Sequence, residues 1–326
     1  LEQPEQVVMR VVHVLQKIMT RTAYVELLVE NQGARQQLIK LCQASAWLTK
    51  QLAQYPLLLD ELIDPQHLYD LPQLTDYPAL LDEYLMRLPE QELELQMDVL
   101  RQSRQGLPLK TAAADFSGGL PLMKVSHHLS YLAEAMVAKV VHLAWHQLTE
   151  RHGQPPGRDA NNMGFAVFAY GKLGGLELSY SSDLDLVFIT DSDYQGETDG
   201  VKPIEVQQFY LRLAQRILHL FTARTMIGSL YDVDMRLRPS GNAGLLVTRL
   251  TTFASYLTED AWTWELQALV RARAIFGHPD LVNALAALRV DQLCQRRDEE
   301  TLQQEVITMR DKMRSHQASH DPSSDE

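Results

Sequence analysis

Two aspartates, Asp183 and Asp185, stand one residue apart at the start of an apolar run that covers residues 186–189. If this run is a β-strand, side chains at positions i and i+2 project from the same face and the two carboxylates lie side by side. Adjacent carboxylates repel each other, and each resists ionisation unless a cation lies between them. The pair is therefore either a metal site or the solvated end of a strand. Mg²⁺ fits the first interpretation, since it prefers carboxylate oxygens together with nucleotide phosphates.

A glycine pair, Gly174 and Gly175, is separated from the first aspartate by seven residues. Glycines permit a tight turn whose backbone N–H groups can face a phosphate. Lys172 lies in the same segment, but the spacing of a P-loop is absent. A surface position fits this lysine as well as an approach to a phosphate. The glycine pair thus predicts a phosphate site beside the two carboxylates.

A second charged pattern supplies a third carboxylate. Asp232, Asp234, Arg236 and Arg238 alternate with apolar residues, which predicts a strand over residues 230–237. The same alternation continues to Arg238 and puts all four charged side chains on one face. Nucleotidyl transfer with two metal ions requires a further acidic ligand, and Asp234 is our candidate. The arginines suit phosphate oxygens, which guanidinium groups bind through two parallel hydrogen bonds. Asp232 fits an ion pair with Arg236 at least as well as a catalytic position.

These features, in this order, resemble the nucleotidyltransferase superfamily that includes DNA polymerase β. Residues 168–188 and 233–241 are more specific, and they resemble the bacterial glutamine synthetase adenylyltransferases. That family has two homologous halves, one adding AMP to a tyrosine of glutamine synthetase and one removing it by phosphorolysis. Residues 261–273 and Ser240 after the proline resemble the adenylylating C-terminal half. The chain stops before the helical bundle that continues this half, so a truncated fragment is expected.

The resemblance implies an α+β fold, with a polymerase-β-like core of small mixed sheet and helices between helical regions. It implies an enzyme that uses ATP and two Mg²⁺ ions, with glutamine synthetase as its protein substrate and a PII-type signal protein as its regulator. By motif, the catalytic and metal-binding residues are Asp183, Asp185 and Asp234, and the triphosphate is lined by Gly174, Gly175 and Ser182, with Arg236 and Arg238 as phosphate-binding candidates. Two alternatives stay open: the AMP-removing half, and a fragment that binds target or nucleotide without turnover.

Regular elements must position these residues, and glycine placement divides the chain. Most glycines lie between Gly153 and Gly244, whereas the flanking sequences have the apolar period of helices. We therefore predict a helical region over residues 1–125 and a nucleotidyltransferase core over 126–280, whose leading helix is capped by Ser126. Residues 281–326 are expected to begin a further helical region, with a disordered tail from residue 315. The predicted strands are 165–170, 185–190, 230–237 and 244–248, and the predicted later helices are 206–222, 258–274 and 281–313.

Composition narrows the class of protein. The 326 residues include 22% charged and 45% hydrophobic side chains, as in folded globular chains, and the formal net charge is −12. A general nucleic-acid binder needs basic surface to displace counterions, so that class is excluded. No apolar run approaches the roughly 18 residues of a membrane span, and no secretory leader is visible. Cys42 and Cys294 are interpreted as reduced, buried thiols of a cytoplasmic protein.

Overall fold

The structure is a computed structural model that describes residues 4–89, 92–296 and 298–318. The α-helices are α1 (Pro4–Ile18), α2 (Thr22–Glu30), α3 (Gln32–Ala44), α4 (Ala46–Gln54), α5 (Pro65–Tyr69), α6 (Tyr77–Met86), α7 (Leu93–Phe116), α8 (Leu122–His152), α9 (Gly171–Gly174), α10 (Val206–Thr222), α11 (Leu250–Glu259), α12 (Thr263–Ala268), α13 (Pro279–Leu293) and α14 (Glu299–Ala318). The strands are β1 (Phe165–Ala169), β2 (Leu184–Thr190), β3 (Val233–Asp234), β4 (Val247–Arg249) and β5 (Arg273–Phe276). Short 3₁₀ helices cover Pro56–Leu62, Leu74–Asp76, Gly241–Ala243 and Leu269–Arg271.

The chain forms two compact units. The first contains the described residues as far as Leu143, with Leu176–Ser182 and Ile217–Asp232; the second contains Ala144–Gly175, Asp183–Arg216 and the described residues from Val233 onward. The division into regions 1–125, 126–280 and 281–326 stays a prediction. Three segments of the predicted middle region, 126–143, 176–182 and 217–232, belong to the first unit.

In the first unit, α1, α3, α4 and the 3₁₀ helix Pro56–Leu62 pack around one apolar core. Helix α1 contributes Val14 and Ile18, which are fully buried one helical turn apart. Val8, Val12 and Leu15 of the same helix are also apolar, but they are exposed. Apolar residues occupy more than one face of α1, and only packing against α3 and α4 selects the buried one.

In the second unit, a mixed sheet is built around β2. Strand β1 pairs antiparallel with β2 and with β5, whereas β3 and β4 both pair parallel with β2, at its beginning and end respectively. All residues of β1, and all of β2 except Asp185, are buried, which explains their unbroken apolar runs. The predicted α+β class, a small mixed sheet with flanking helices, is confirmed.

The strands predicted over 165–170 and 185–190 are present as β1 and β2, and the helix predicted over 206–222 is α10. The predicted cap at Ser126 is wrong, since α8 begins at Leu122. The carbonyl of Pro121 accepts the N–H groups of Lys124 and Val125 and so starts the helix earlier. None of the helices within the described residues is long and apolar enough to cross a membrane.

The long helix predicted over residues 258–274 is wrong. The chain leaves α11 at Glu259, and the Glu265 carboxylate accepts the Trp262 N–H at 2.8 Å, which starts the separate helix α12. Arg273 then begins β5 instead of ending a helix. Helical period alone does not reveal such a break, because a capping interaction replaces the missing helical hydrogen bonds.

Two smaller expectations also differ. Cys42 is buried as predicted, but Cys294 is exposed, because it lies just past the end of α13. Helix α14 runs as far as Ala318, so residues 315–318 are helical where the sequence predicts disorder. The rest of the predicted tail lies outside the described residues.

Candidate active site

Three aspartates come together where β3 meets β2. In the parallel pairing of these strands, Leu184 lies opposite Val233 and Asp185 lies opposite Asp234. Neighbouring strands are separated by about 4.8 Å, so the two aspartates are adjacent. Asp183, two residues before Asp185, completes the group, as the i, i+2 spacing predicts. The structure thus assembles all three carboxylates predicted from the sequence.

One oxygen from each of Asp183, Asp185 and Asp234 lies within 4.8 Å of the others. Within residues 4–89, 92–296 and 298–318, no other group of three His, Cys, Asp or Glu side chains meets this criterion. Burial raises the pKa of Asp185, and the charges of Asp183 and Asp234 raise it further. Negative charge is therefore concentrated at the start of β2, which is the condition that a cation relieves.

Asp234 is paired with an arginine from its own turn. Its Oδ1 accepts the backbone N–H of Arg236 at 2.8 Å, and its Oδ2 accepts the Arg236 Nε at 2.7 Å. These hydrogen bonds hold the pKa of Asp234 below its usual value. The predicted strand 230–237 is therefore wrong except at Val233–Asp234. It ends at Asp234 because an aspartate that bonds the N–H two residues ahead turns the chain.

The two arginines consequently do not extend along one strand face. The Arg236 side chain is 74% exposed, and it contacts the acidic group through Asp234. Arg238 is buried, and its guanidinium donates to the carbonyls of Met235, Asn242 and Gly244. The geometry of Arg238 is thus that of a residue that holds the 235–244 loop together.

The glycine pair is part of the short helix α9 and its end. The N–H groups of Gly174 and Gly175 donate to the carbonyls of Tyr170 and Gly171. A Cβ on Gly174 would lie 2.7 Å from the Ala169 carbonyl oxygen, so the pair permits close backbone packing. These two donors are satisfied within the chain, unlike the free turn amides that the sequence predicts.

Ser182 belongs to the first unit. Its Oγ accepts the Ser179 N–H at 3.0 Å and lies 2.7 Å from the Ser179 Oγ. In the structure, Ser182 therefore closes the turn that precedes Asp183.

The sequence interpretation missed Gly171. It has a φ of +56°, and a Cβ at this position would collide with the Asp185 carboxylate. Glycine is therefore required both by the backbone conformation and by the space that Asp185 occupies. The sequence contains a signal for this role. Gly171 directly follows the apolar run 165–170, and a glycine at the end of a strand often adopts a left-handed conformation.

The donor set fits Mg²⁺. The three groups are hard carboxylate oxygens, two of them from half-buried side chains, and Asp185 carries an electrostatic cost that a divalent cation offsets. Softer metals favour Cys or His ligands, which the group lacks. The arrangement can hold a cation against a phosphate, with the Arg236 guanidinium beside it.

Comparison with known proteins identifies the family of the chain. The family described as "Glutamate-ammonia ligase adenylyltransferase" matches residues 35–288. A bifunctional glutamine synthetase adenylyltransferase/adenylyl-removing enzyme of Idiomarina loihiensis is 63% identical over 315 residues, which are 97% of this chain and 33% of that protein. Proteins of the same description from Shewanella frigidimarina and Vibrio parahaemolyticus are each 54% identical, over 96% and 94% of this chain and 33% and 32% of theirs. The chain thus spans about a third of the length of these relatives. It belongs to the glutamate-ammonia ligase adenylyltransferase family.

Proposed function

We propose that this chain transfers AMP from ATP to a tyrosine hydroxyl of glutamine synthetase and releases pyrophosphate. The observation that carries the proposal is the carboxylate group at the start of β2, in a chain of this family. In the reaction, a bond forms between the tyrosine oxygen and the α-phosphorus, and the bond from that phosphorus to the bridging oxygen of the pyrophosphate breaks. Mg²⁺, when bound, polarises the α-phosphate and stabilises the charge on the departing pyrophosphate.

In this proposal Asp183, Asp185 and Asp234 hold two Mg²⁺ ions. Asp185 is fixed in place by the β1–β2 and β2–β3 ladders, and the missing side chain of Gly171 leaves room for its carboxylate. A rigid strand suits a metal-binding side chain that must keep its geometry through the reaction. Asp234 lies on the adjacent strand and would take the tyrosine proton.

Arg236 is the proposed phosphate ligand. In the structure its guanidinium bonds Asp234, and its exposed position allows the side chain to turn toward a phosphate. When the Arg236 guanidinium leaves Asp234 and binds a phosphate, the Asp234 carboxylate oxygens become available to the metal and to the substrate hydroxyl. Gly174 and Gly175 are proposed to shape the wall along the triphosphate, and Arg238 to keep the adjoining loop in its conformation. Ser182 is proposed to set the turn that leads into Asp183.

The adenylylating direction is favoured by Ser240 after the proline and by residues 261–273, which resemble the half that adds AMP. The relatives are described as bifunctional, with both activities, so the choice between addition and removal of AMP depends on these residues. A PII-type signal protein as regulator and a cytoplasmic location, in control of nitrogen assimilation, belong to the same proposal.

The test incubates the chain with glutamine synthetase and ATP labelled in the α-phosphate. We expect Mg²⁺-dependent label on a tyrosine, and a loss of more than about 100-fold in Asp183→Asn and Asp185→Asn, since loss of a direct ligand costs more than the loss of its supporting groups. A second readout needs no activity: Mg²⁺ raises the thermal midpoint of the parent chain by preferential binding to the folded state, but not that of Asp183→Asn.

The matched control is Asp232→Asn, which makes the same change at an exposed aspartate two positions from Asp234. It is expected to keep its transfer rate and its response to Mg²⁺. Unchanged transfer in Asp183→Asn contradicts the catalytic assignment. Release of label from modified glutamine synthetase on adding phosphate, without addition from ATP, identifies the removing activity instead. ATP binding without either reaction identifies a binding fragment.

A further inference from the structure

The second unit contains a large cleft that the proposed chemistry does not use. Its volume is about 1460 Å³, and it lies between α14 and the segment that includes α12. The Thr263 hydroxyl donates to the Glu305 carboxylate and links the two helices at its edge. Gly171 and Leu237 form part of the lining.

These last two residues place the cleft beside the carboxylates. Gly171 lies against the Asp185 carboxylate, since a Cβ on this glycine would collide with it. Leu237 directly follows Arg236, whose guanidinium bonds Asp234. A ligand with one end at the carboxylates can therefore extend into the cleft past Gly171.

The walls suit a flat aromatic group. Trp262 and Trp264 both line the cleft, and Trp262 remains 69% exposed. Val270, also in the lining, is 58% exposed. Binding of a ligand that covers large apolar surfaces is favourable, because it removes these surfaces from water. An indole in particular stacks on nucleic-acid bases of any sequence.

The charges of the cleft argue against a polyanion. Arg271 and Arg310 in the lining are matched by Asp260 and Glu305, so the cleft has no net excess of positive charge. The cleft therefore offers phosphate groups no electrostatic attraction. The amide and hydroxyl groups of the lining, by contrast, offer the donors and acceptors that the edge of a purine needs; they are Gln267, Gln304 and Thr308.

The backbone of Trp262 is anchored by a hydrogen bond to a buried carboxylate. Its backbone N–H donates to Glu265, a buried carboxylate that also accepts the Tyr256 hydroxyl at 2.9 Å. An exposed aromatic residue on such an anchored backbone is ready to stack on a ligand with little loss of conformational freedom.

We propose that this cleft binds the adenine base of the nucleotide whose phosphates meet the carboxylate group, with Trp262 stacked on the base. The inference rests on the proposed function, because it places the phosphates of ATP at Asp183, Asp185 and Asp234. It adds the recognition of the base, which the carboxylates cannot supply.

The experiment compares ATP with inorganic tripolyphosphate, which has the same phosphate chain without base or ribose. Both dissociation constants are measured by calorimetry in Mg²⁺ for the parent chain, Trp262→Ala and Trp262→Phe. We expect Trp262→Ala to weaken ATP binding roughly 5- to 100-fold, as for stacked bases elsewhere, and to leave tripolyphosphate binding unchanged. Trp262→Phe retains a ring and is expected to recover part of the loss. Val201→Ala is the control, since Val201 is 92% exposed in the same unit and outside the cleft lining.

Equal ATP binding with and without Trp262, while tripolyphosphate still binds, overturns the base site and leaves the proposed function standing. Weakened binding of glutamine synthetase by Trp262→Ala with unchanged ATP binding also overturns it, and identifies a protein-docking surface. A parent chain that binds neither ATP nor tripolyphosphate in Mg²⁺ overturns both proposals.

Discussion

Asp234 and Arg236 stand two positions apart in an alternating pattern, and they meet because the chain turns between them. The Asp234 carboxylate accepts the backbone N–H and the side chain of Arg236, so one aspartate both ends β3 and acquires a counter-ion. Asp185, on the adjacent strand, has the opposite electrostatic environment, since burial raises its pKa. Neighbouring carboxylates with shifts of opposite direction are typical of functional sites.

Gly171 permits a direct test of the space around Asp185. Gly171→Ala places a Cβ in the left-handed region and against the carboxylate, so we expect a lower free energy of unfolding, by about 1–3 kcal/mol for the strain alone. Denaturant unfolding measures this loss of stability. The matched change is Gly157→Ala, which has a φ of +67° and no atom within 4 Å of the added Cβ.

The difference between the two glycine variants isolates the contact with Asp185. Only Gly171→Ala is expected to reduce the rise in thermal midpoint on adding Mg²⁺, because only this change displaces a proposed ligand. Equal destabilisation and an unchanged response to Mg²⁺ would show that Asp185 accommodates the extra methyl group.

The junction of α11 and α12 shows how a short break in a helix creates a site. Helix α11 ends at Glu259, and α12 begins after Trp262, whose N–H bonds the buried Glu265. A continuous helix over these residues would satisfy its own N–H groups and would not need a buried carboxylate. The break instead leaves residues 260–262 in the lining of the cleft.

This junction also predicts a pH dependence. Burial and the Glu265 carboxylate raise the pKa of Tyr256 to about 12, compared with about 10 in an unfolded chain. The folded state then binds the phenolic proton more tightly, so the free energy of unfolding falls as the pH rises from about 10 to about 12. Tyr256→Phe removes this contribution and is expected to flatten the decline.

Urea unfolding at pH 9 and pH 11 checks this expectation. At pH 9, Tyr256→Phe is expected to be less stable than the parent, by about 1–3 kcal/mol, because Glu265 loses a buried donor. At pH 11 the gap narrows. Glu265→Gln serves as the control, since it removes the charge and keeps an acceptor. A gap that stays constant or widens between the two pH values contradicts the assignment.

Over the chain as a whole, acidic and basic residues do not balance. The net charge is −12, and three of the acidic side chains are concentrated at the proposed ATP site. A polymerase-like core in such a chain lacks the general electrostatic attraction that binding of a nucleic-acid backbone requires. Each unit also has an apolar core of its own, around α1, α3 and α4 in the first and around β1, β2 and α11 in the second.

The charge predicts that double-stranded DNA does not compete with ATP. At about 150 mM salt, an excess of DNA is expected to change the dissociation constant of ATP by less than about twofold, because an acidic chain gains little from counterion release. Calorimetry with and without DNA measures this, and heparin, a different polyanion, is the control. Strong competition by DNA alone would identify a local nucleic-acid site and contradict the exclusion.

Much of the site was predictable because residues close together in the sequence determine its strands and the placement of its carboxylates. The apolar runs of β1 and β2 are long, unbroken and flanked by glycine or aspartate, so their positions and the shared face of Asp183 and Asp185 follow from backbone geometry. The motifs around them also identified the family that the comparisons confirm. Interactions within a few residues of sequence are sufficient for both inferences.

The remaining features depend on contacts between distant residues or on competition among local ones. The register that places Asp234 opposite Asp185 depends on strand pairing across a long intervening segment. Arg238 alternates like a phosphate ligand, but its loop encloses it and supplies three carbonyl acceptors. The sequence predicts that Trp262 is part of a continuous helix. In the structure its N–H bonds the buried Glu265, and the helix is interrupted at this residue. Sequence period specifies which residues can share a face, whereas packing and hydrogen bonding select the partners that they meet.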